Sequence, residues 1–122
     1  MSKQILIVDD SPVVLAMLED ALVGMGYGVT AAANGRDGLK QVEAHKFDLI
    51  ITDLSMPVMD GIAFVKAAKL LPSCKFVPIV FLSSEEDTEK ISEAKKAGAS
   101  TFLRKPFKEN QLATILKIVL GA

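Results

Sequence analysis

Tryptophan is absent from this chain of 122 residues, and tyrosine and cysteine occur once each. The lone Cys74 has no partner for an internal disulfide, so nothing in the sequence calls for an oxidising compartment. No apolar run approaches the roughly 20 residues that a bilayer-spanning helix requires, and no charged-then-apolar leader opens the chain. Neither sign of charge dominates. The 14 Lys and Arg offset 15 Asp and Glu without forming a basic cluster, which removes the electrostatic reason to bind nucleic acid. Internal repeats, low-complexity stretches and linkers are missing too. What remains is one domain from residue 1 to 122, half of it apolar, long enough to bury roughly two thirds of the surface of its extended chain. The expected compartment is the cytoplasm, with no membrane contact.

Four apolar runs stand out because each stops at a polar residue. Ile5-Leu6-Ile7-Val8 meets Asp9-Asp10, and Leu49-Ile50-Ile51-Thr52 meets Asp53. Ile79-Val80-Phe81-Leu82 meets Ser83, and the short Thr101-Phe102-Leu103 leads to Lys105-Pro106. Val29 to Ala33 reads as a fifth strand. Between the strands lie helical patterns. Ser11 is a natural N-cap before Pro12, with Val14, Met17, Leu18, Ala21, Leu22 and Met25 at helical spacing and Gly26 as the stop. Asn34-Gly35 turns into a weaker helix carrying Leu39 and Val42, and Asp60-Gly61 opens one through Ile62, Val65 and Ala68. Glu86 to Ala97 offers mainly Ile91, Ala94 and Ala97 to a core, and Gly98 ends it. The last helix presents Leu112, Ile115, Leu116 and Val119.

Strands alternating with helices mean repeated βαβ units, hence an α/β domain built on a parallel sheet with helices on both faces. The runs ILIV, LII and IVFL are apolar on both faces and belong at its centre. The carboxyl ends of parallel strands share one edge, where open α/β sheets bind ligands. Asp9, Asp10, Asp53, Ser83 and Lys105 would therefore converge. Crowded carboxylates raise one another's pKa unless a cation neutralises them, and an all-oxygen donor set with waters suits Mg²⁺. A carboxylate beside a metal can attack a phosphoryl group to give an acyl phosphate. The metal would meet one phosphoryl oxygen, Lys105 a second, and the Ser83 hydroxyl or nearby backbone N–H groups a third. Pro106 restricts the backbone of Lys105, and an X-Pro bond can be cis. The plainer reading of Asp9 or Asp10 is a cap for the next helix.

At these residues the chain resembles the receiver domain of two-component response regulators, most closely the single-domain chemotaxis type. The resemblance rests on VDDS (Val8 to Ser11), DLSMPVMDG (Asp53 to Gly61), FLSSE (Phe81 to Glu85), KAGAS (Lys96 to Ser100) and KPF (Lys105 to Phe107). It implies a flavodoxin-like (βα)5 three-layer sandwich whose five-stranded sheet has the order 2-1-3-4-5; that order comes from the resemblance, not from the spacing. It further implies that Asp53 is the phosphoacceptor, that Asp9 and Asp10 form the acidic pair at a Mg²⁺ site (Mn²⁺ able to substitute) with Asp10 the direct ligand, and that the Ser55 backbone carbonyl completes the protein ligands. Lys105 matches the lysine that pairs with the phosphoryl group. Ser83 and Phe102 match the switch positions, although Phe102 lacks the phenol hydroxyl of the tyrosine common there. Ser84 replaces a small apolar residue. The implied partners are a sensor histidine kinase and a downstream target docking on helix 4, strand 5 and helix 5.

Other conspicuous residues take ordinary readings. His45 belongs to a surface loop, Met56 and Met59 pack around theirs, and Glu85-Glu86-Asp87 supplies charge to a helix start, with Glu85 able to face the site. Two rivals use related architecture. An aspartyl-phosphate hydrolase would place an acid two residues after the nucleophile, where this chain has Ser55. A flavin mononucleotide carrier would avoid Asp9-Asp10 beside the cofactor phosphate. The chain is expected to stand alone, with the alternative that an effector domain follows Ala122, and to act on no metabolite.

Overall fold

A computed structural model of the chain describes residues 2–84 and 88–121. Five strands, β1 (Gln4–Val8), β2 (Gly28–Ala32), β3 (Leu49–Asp53), β4 (Ile79–Ser83) and β5 (Thr101–Arg104), form one sheet in the order β2-β1-β3-β4-β5. All neighbours are parallel. The helices α1 (Pro12–Gly24), α2 (Gly35–Ala44), α3 (Gly61–Lys69), α4 (Thr88–Ala97) and α5 (Glu109–Leu120) follow the strands in turn. A short 3₁₀ turn, Pro72–Cys74, precedes β4 and has no counterpart in the expected pattern.

Strand alternation splits the core in two. Ile5, Ile7, Leu49, Ile51, Val80 and Leu82 pack with Leu18 and Leu22 of α1 and Leu112 and Leu116 of α5. On the opposite face Leu6, Val8, Ile50, Ile79 and Phe81 pack with Val42, Phe64, Val65 and Ala94 of α2, α3 and α4. Each central strand feeds both layers, which is why its sequence is apolar without a break. The edge strands β2 and β5 bury less.

Local signals set the helix ends. The Ser11 hydroxyl accepts from the Val14 N–H at 3.3 Å, the Asn34 side chain accepts from Asp37 at 2.9 Å, and Asp60 accepts from Ala63 at 2.8 Å. Gly26 stops α1 as expected. It lies at φ 95°, with Gly26 N–H donating to Val23 O and Tyr27 N–H to Leu22 O, the paired bonds of a Schellman turn. One expectation needs correcting: Met17, counted among the core-facing residues of α1, is about half exposed. Leu18 and Leu22 hold the centre of the buried stripe, and Met17, directly before Leu18 and so about 100° round the helix, falls on its rim.

The loop between β3 and α3 carries a strained residue. Val58 has φ 75°, where a β-branched side chain crowds its own carbonyl. Asn tolerates this region, so Val58→Asn is expected to stabilise the fold by about 1 kcal/mol. The check is a urea transition shifted to higher midpoint with unchanged slope.

Candidate metal centre

The site grows out of the ends of β1 and β3, where the order of strands reverses direction. Asp53 is the last residue of β3 and is nearly buried. Its backbone is fixed by what surrounds it. The Thr52 hydroxyl donates to the Asp53 carbonyl at 3.1 Å, and the Leu54 N–H donates to Leu82 O of β4. Gly61, at the start of α3, donates its N–H to Leu54 O and lies so close that a Cβ there would sit 1.9 Å from the Asp53 carbonyl oxygen. Thr52 and Gly61 thus shape the site without touching its chemistry, and only the Gly in DG hinted at a close approach.

Asp9 directly follows β1 and is fully buried, whereas Asp10 is exposed. Asp9 does not cap α1, whose N-cap is Ser11; its Oδ1 accepts from the Ser11 N–H at 2.9 Å, fixing the turn before the helix, while its Oδ2 faces Lys105. The Lys105 ammonium, just past the end of β5, stands 2.9 Å from Asp9 and 3.3 Å from Asp53; the Lys105–Pro106 bond is cis. The Lys105 N–H donates to Ser83 O at 2.7 Å, so the backbone at Ser83, the buried last residue of β4, holds Lys105 in place. Phe102 lies further back on β5, half-buried and stacked on Phe81 with ring centres 6.0 Å apart.

Ser55 is exposed, and its backbone N–H is among the groups that lower the pKa of Asp53. Met56 is buried and Met59 half-buried against the α2–α3 layer, as expected for packing residues. His45 is an exposed residue at the end of α2, edge-on to Phe47. The readings given to Glu85, Glu86 and Asp87 fall outside the described residues.

Charge in the cluster is not balanced. Burial and the charge of Asp9 raise the pKa of Asp53, and Lys105 and the Ser55 N–H only partly oppose them. Burial pulls Lys105 down, but the hydrogen bond to Asp9 and the charges of Asp53 and Asp9 outweigh it and leave its pKa raised. One ammonium is shared by two carboxylates with a third beside them. Asp9, Asp10 and Asp53 each offer an oxygen, all within 4.8 Å of one another. Asp9 Oδ2 is buried and, apart from the ion pair with Lys105, has no aligned hydrogen-bond donor among the described residues. An under-satisfied buried oxygen in a carboxylate triad fits a small hard divalent cation.

Residues 5–117 match the family model described as response regulator receiver domain. The chain belongs to the response regulator receiver family. Receiver domains are the phosphorylation-controlled switches of two-component signalling, working with histidine kinases and downstream targets. Among solved structures, this receiver is similar to the chemotaxis protein CheY4 of Vibrio cholerae, with 40% identity, a TM-score of 0.93, and coverage of 98% of this chain and 99% of that one. It is 33% identical to a probable chemotaxis protein CheY of Rhizobium etli, covering 98% of this chain and 93% of that protein. The receiver domain of the sensor histidine kinase PA1611 of Pseudomonas aeruginosa PAO1, solved with a magnesium ion coordinated in its active site cleft, is 30% identical with a TM-score of 0.92 over all of both chains. Other curated relatives are longer transcriptional regulators, of which this receiver spans 26% to 56%. Among the described residues no helix is long and apolar enough to cross a membrane.

Proposed function

We propose that the chain is a cytoplasmic switch that accepts a phosphoryl group on Asp53 from a sensor histidine kinase and signals through a separate partner protein, in chemotaxis or a related response. The observation that carries this is one ammonium, Lys105, shared between the buried Asp9 and the strand-end Asp53, with Asp10 completing a triad of oxygens. An Asp53 carboxylate oxygen attacks phosphorus, the bond to the donor's nitrogen or oxygen breaks, and an acyl phosphate forms with the donor group leaving. Lys105 neutralises one phosphoryl oxygen, and the Ser83 hydroxyl is drawn toward another. Asp10, Asp9, Asp53 and the Ser55 carbonyl would hold Mg²⁺, or Mn²⁺ in its place. The bound cation supplies charge neutralisation at the transferring group. A receiver acts on itself in this way and on no metabolite.

Output follows from Ser83 and Phe102. Movement of Ser83 frees space toward Phe102, and its ring repacks against Phe81, changing the α4, β5 and α5 face. A cavity of about 640 Å³ lined by Phe102, Arg104, Lys105, Gln111 and Ile115 opens between β5 and α5 and supports target docking on that side of the face. Nucleic acid is not the expected partner of a sequence with no clustered basic stretch.

The test is intact-mass analysis after incubation with acetyl phosphate. The protein is expected to gain one phosphoryl group with Mg²⁺ and none with excess chelator. Asp10→Ala should weaken Mg²⁺ about tenfold or more, since a direct ligand counts for at least as much as its supports. Labelling that ignores the chelator, or identical Mg²⁺ titrations for wild type and Asp10→Ala, would overturn the reading.

A further inference from the structure

Ser55 is held from α4. Its hydroxyl accepts a 2.6 Å hydrogen bond from Lys90 Nζ, and its backbone N–H is among the groups that favour the charged form of Asp53. The two residues are 35 apart in sequence and both exposed, so the bond adds little to stability. The place of Lys90 is also electrostatically costly. It is the third residue of α4, at the positive end of the helix dipole, where a cation is disfavoured and an acid such as its neighbour Glu89 is favoured. Meanwhile α4 is lightly anchored: Ala94 is buried, while Ile91 and Ala97 are only half-buried. A cation set against its own helix and aimed across the mouth of the site is better explained by what it holds.

We propose that Lys90 is a positioning residue for the Asp53 site. By holding the Ser55 hydroxyl, it keeps residues 54–56 in the conformation that presents the Ser55 N–H to Asp53 and the Ser55 carbonyl to the cation. This rests on the function proposed above. Lys90 acts through Ser55 and takes no part in bond making. The same contact makes the site and α4 report on each other: whatever loosens residues 54–56 releases the start of α4, and whatever pulls α4 away loosens the loop.

A double-mutant cycle tests it. Lys90→Met keeps the apolar stem and removes the donors; Ser55→Ala keeps the backbone groups and removes the acceptor. Each is measured for Mg²⁺ affinity by calorimetry, for phosphorylation rate from acetyl phosphate, and for amide exchange over residues 54–56 and 88–97 in the metal-free protein. Each single variant should lose about tenfold in Mg²⁺ affinity, the loss typical of removing a support behind a metal ligand. Exchange at 54–56 should quicken, phosphorylation should slow, and the thermal midpoint should stay put. The double variant should be no worse than either single one, because the two groups form one contact. Lys90→Arg should recover most of the loss. If both single variants bind Mg²⁺ and exchange like wild type, or if their losses multiply in the double variant, the positioning role is wrong. A wild type that binds Mg²⁺ and is phosphorylated while Lys90→Met matches it sinks this inference alone. A wild type that does neither sinks the proposed function as well.

Discussion

Asp53→Asn is expected to abolish phosphoryl uptake while leaving the metal-free protein at least as stable as wild type. Loss of uptake follows from chemistry, since the amide keeps the shape of the carboxylate but has no anionic oxygen to attack phosphorus. The gain in stability follows from the charge imbalance. Burial and the charge of Asp9 raise the pKa of Asp53 above its unfolded value. For an acid shifted in that direction, folding costs free energy wherever the native group must ionise. The cost is fully present above the folded pKa and disappears as pH falls below the unfolded one. At neutral pH Asn removes it. A bound cation relieves the same cost in wild type, so Mg²⁺ should raise the wild-type melting temperature more than that of Asp53→Asn. Thermal scans with and without Mg²⁺, run beside intact-mass labelling, read all of this. Retained labelling, or a variant that melts lower than wild type without metal, would contradict the assignment.

Gly61→Ala should be nearly as damaging to the site although no charge changes. The added Cβ would lie 1.9 Å from the Asp53 carbonyl oxygen, 2.9 Å from its carbonyl carbon and 3.2 Å from Leu54 Cα. All three are backbone atoms, so no side chain can rotate away. Either α3 backs off the sheet edge or the end of β3 is pushed out. Overpacking of this kind costs about 3 kcal/mol where nothing flexible yields. The larger effect is on chemistry, because a displacement of roughly 1 Å at a reacting group can cost about a hundredfold in rate. Phosphorylation of Gly61→Ala by acetyl phosphate, followed below its melting transition, should be slowed on that scale. A rate within twofold of wild type would show that the close approach of α3 does not fix Asp53.

The parts of the site legible in the sequence are those set by strand ends. Asp9, Asp53, Ser83 and Lys105 each follow an apolar run, and a parallel sheet leaves such residues nowhere to go but one edge. The layered fold was readable for the same reason, because the doubly apolar runs ILIV and IVFL admit few other places. What stayed hidden depends on approach between elements distant in sequence. Nothing local to Lys90 marks it as reaching Ser55, and nothing in Thr52 announces that its hydroxyl turns to its neighbour's carbonyl. Val58 shows the reverse failure: its type argues against a positive φ, and the loop imposes one. Met17 follows the helical period yet sits at the edge of the buried stripe, where periodicity cannot separate a rim from a centre.

The division of the core by the sheet bears on how such a protein can change over generations. Leu18, Leu22, Leu112 and Leu116 lie in one layer, and Phe64, Val65 and Ala94 in the other, with strand backbone between them. Replacements in separated layers have little occasion to interact. A lineage can therefore repack α1 without retuning α2 and α3, whereas α5 and α4, rooted in different layers, meet on the one proposed docking face. The central strands answer to both layers, and at their ends Asp9 and Asp53 are tied further to Lys105.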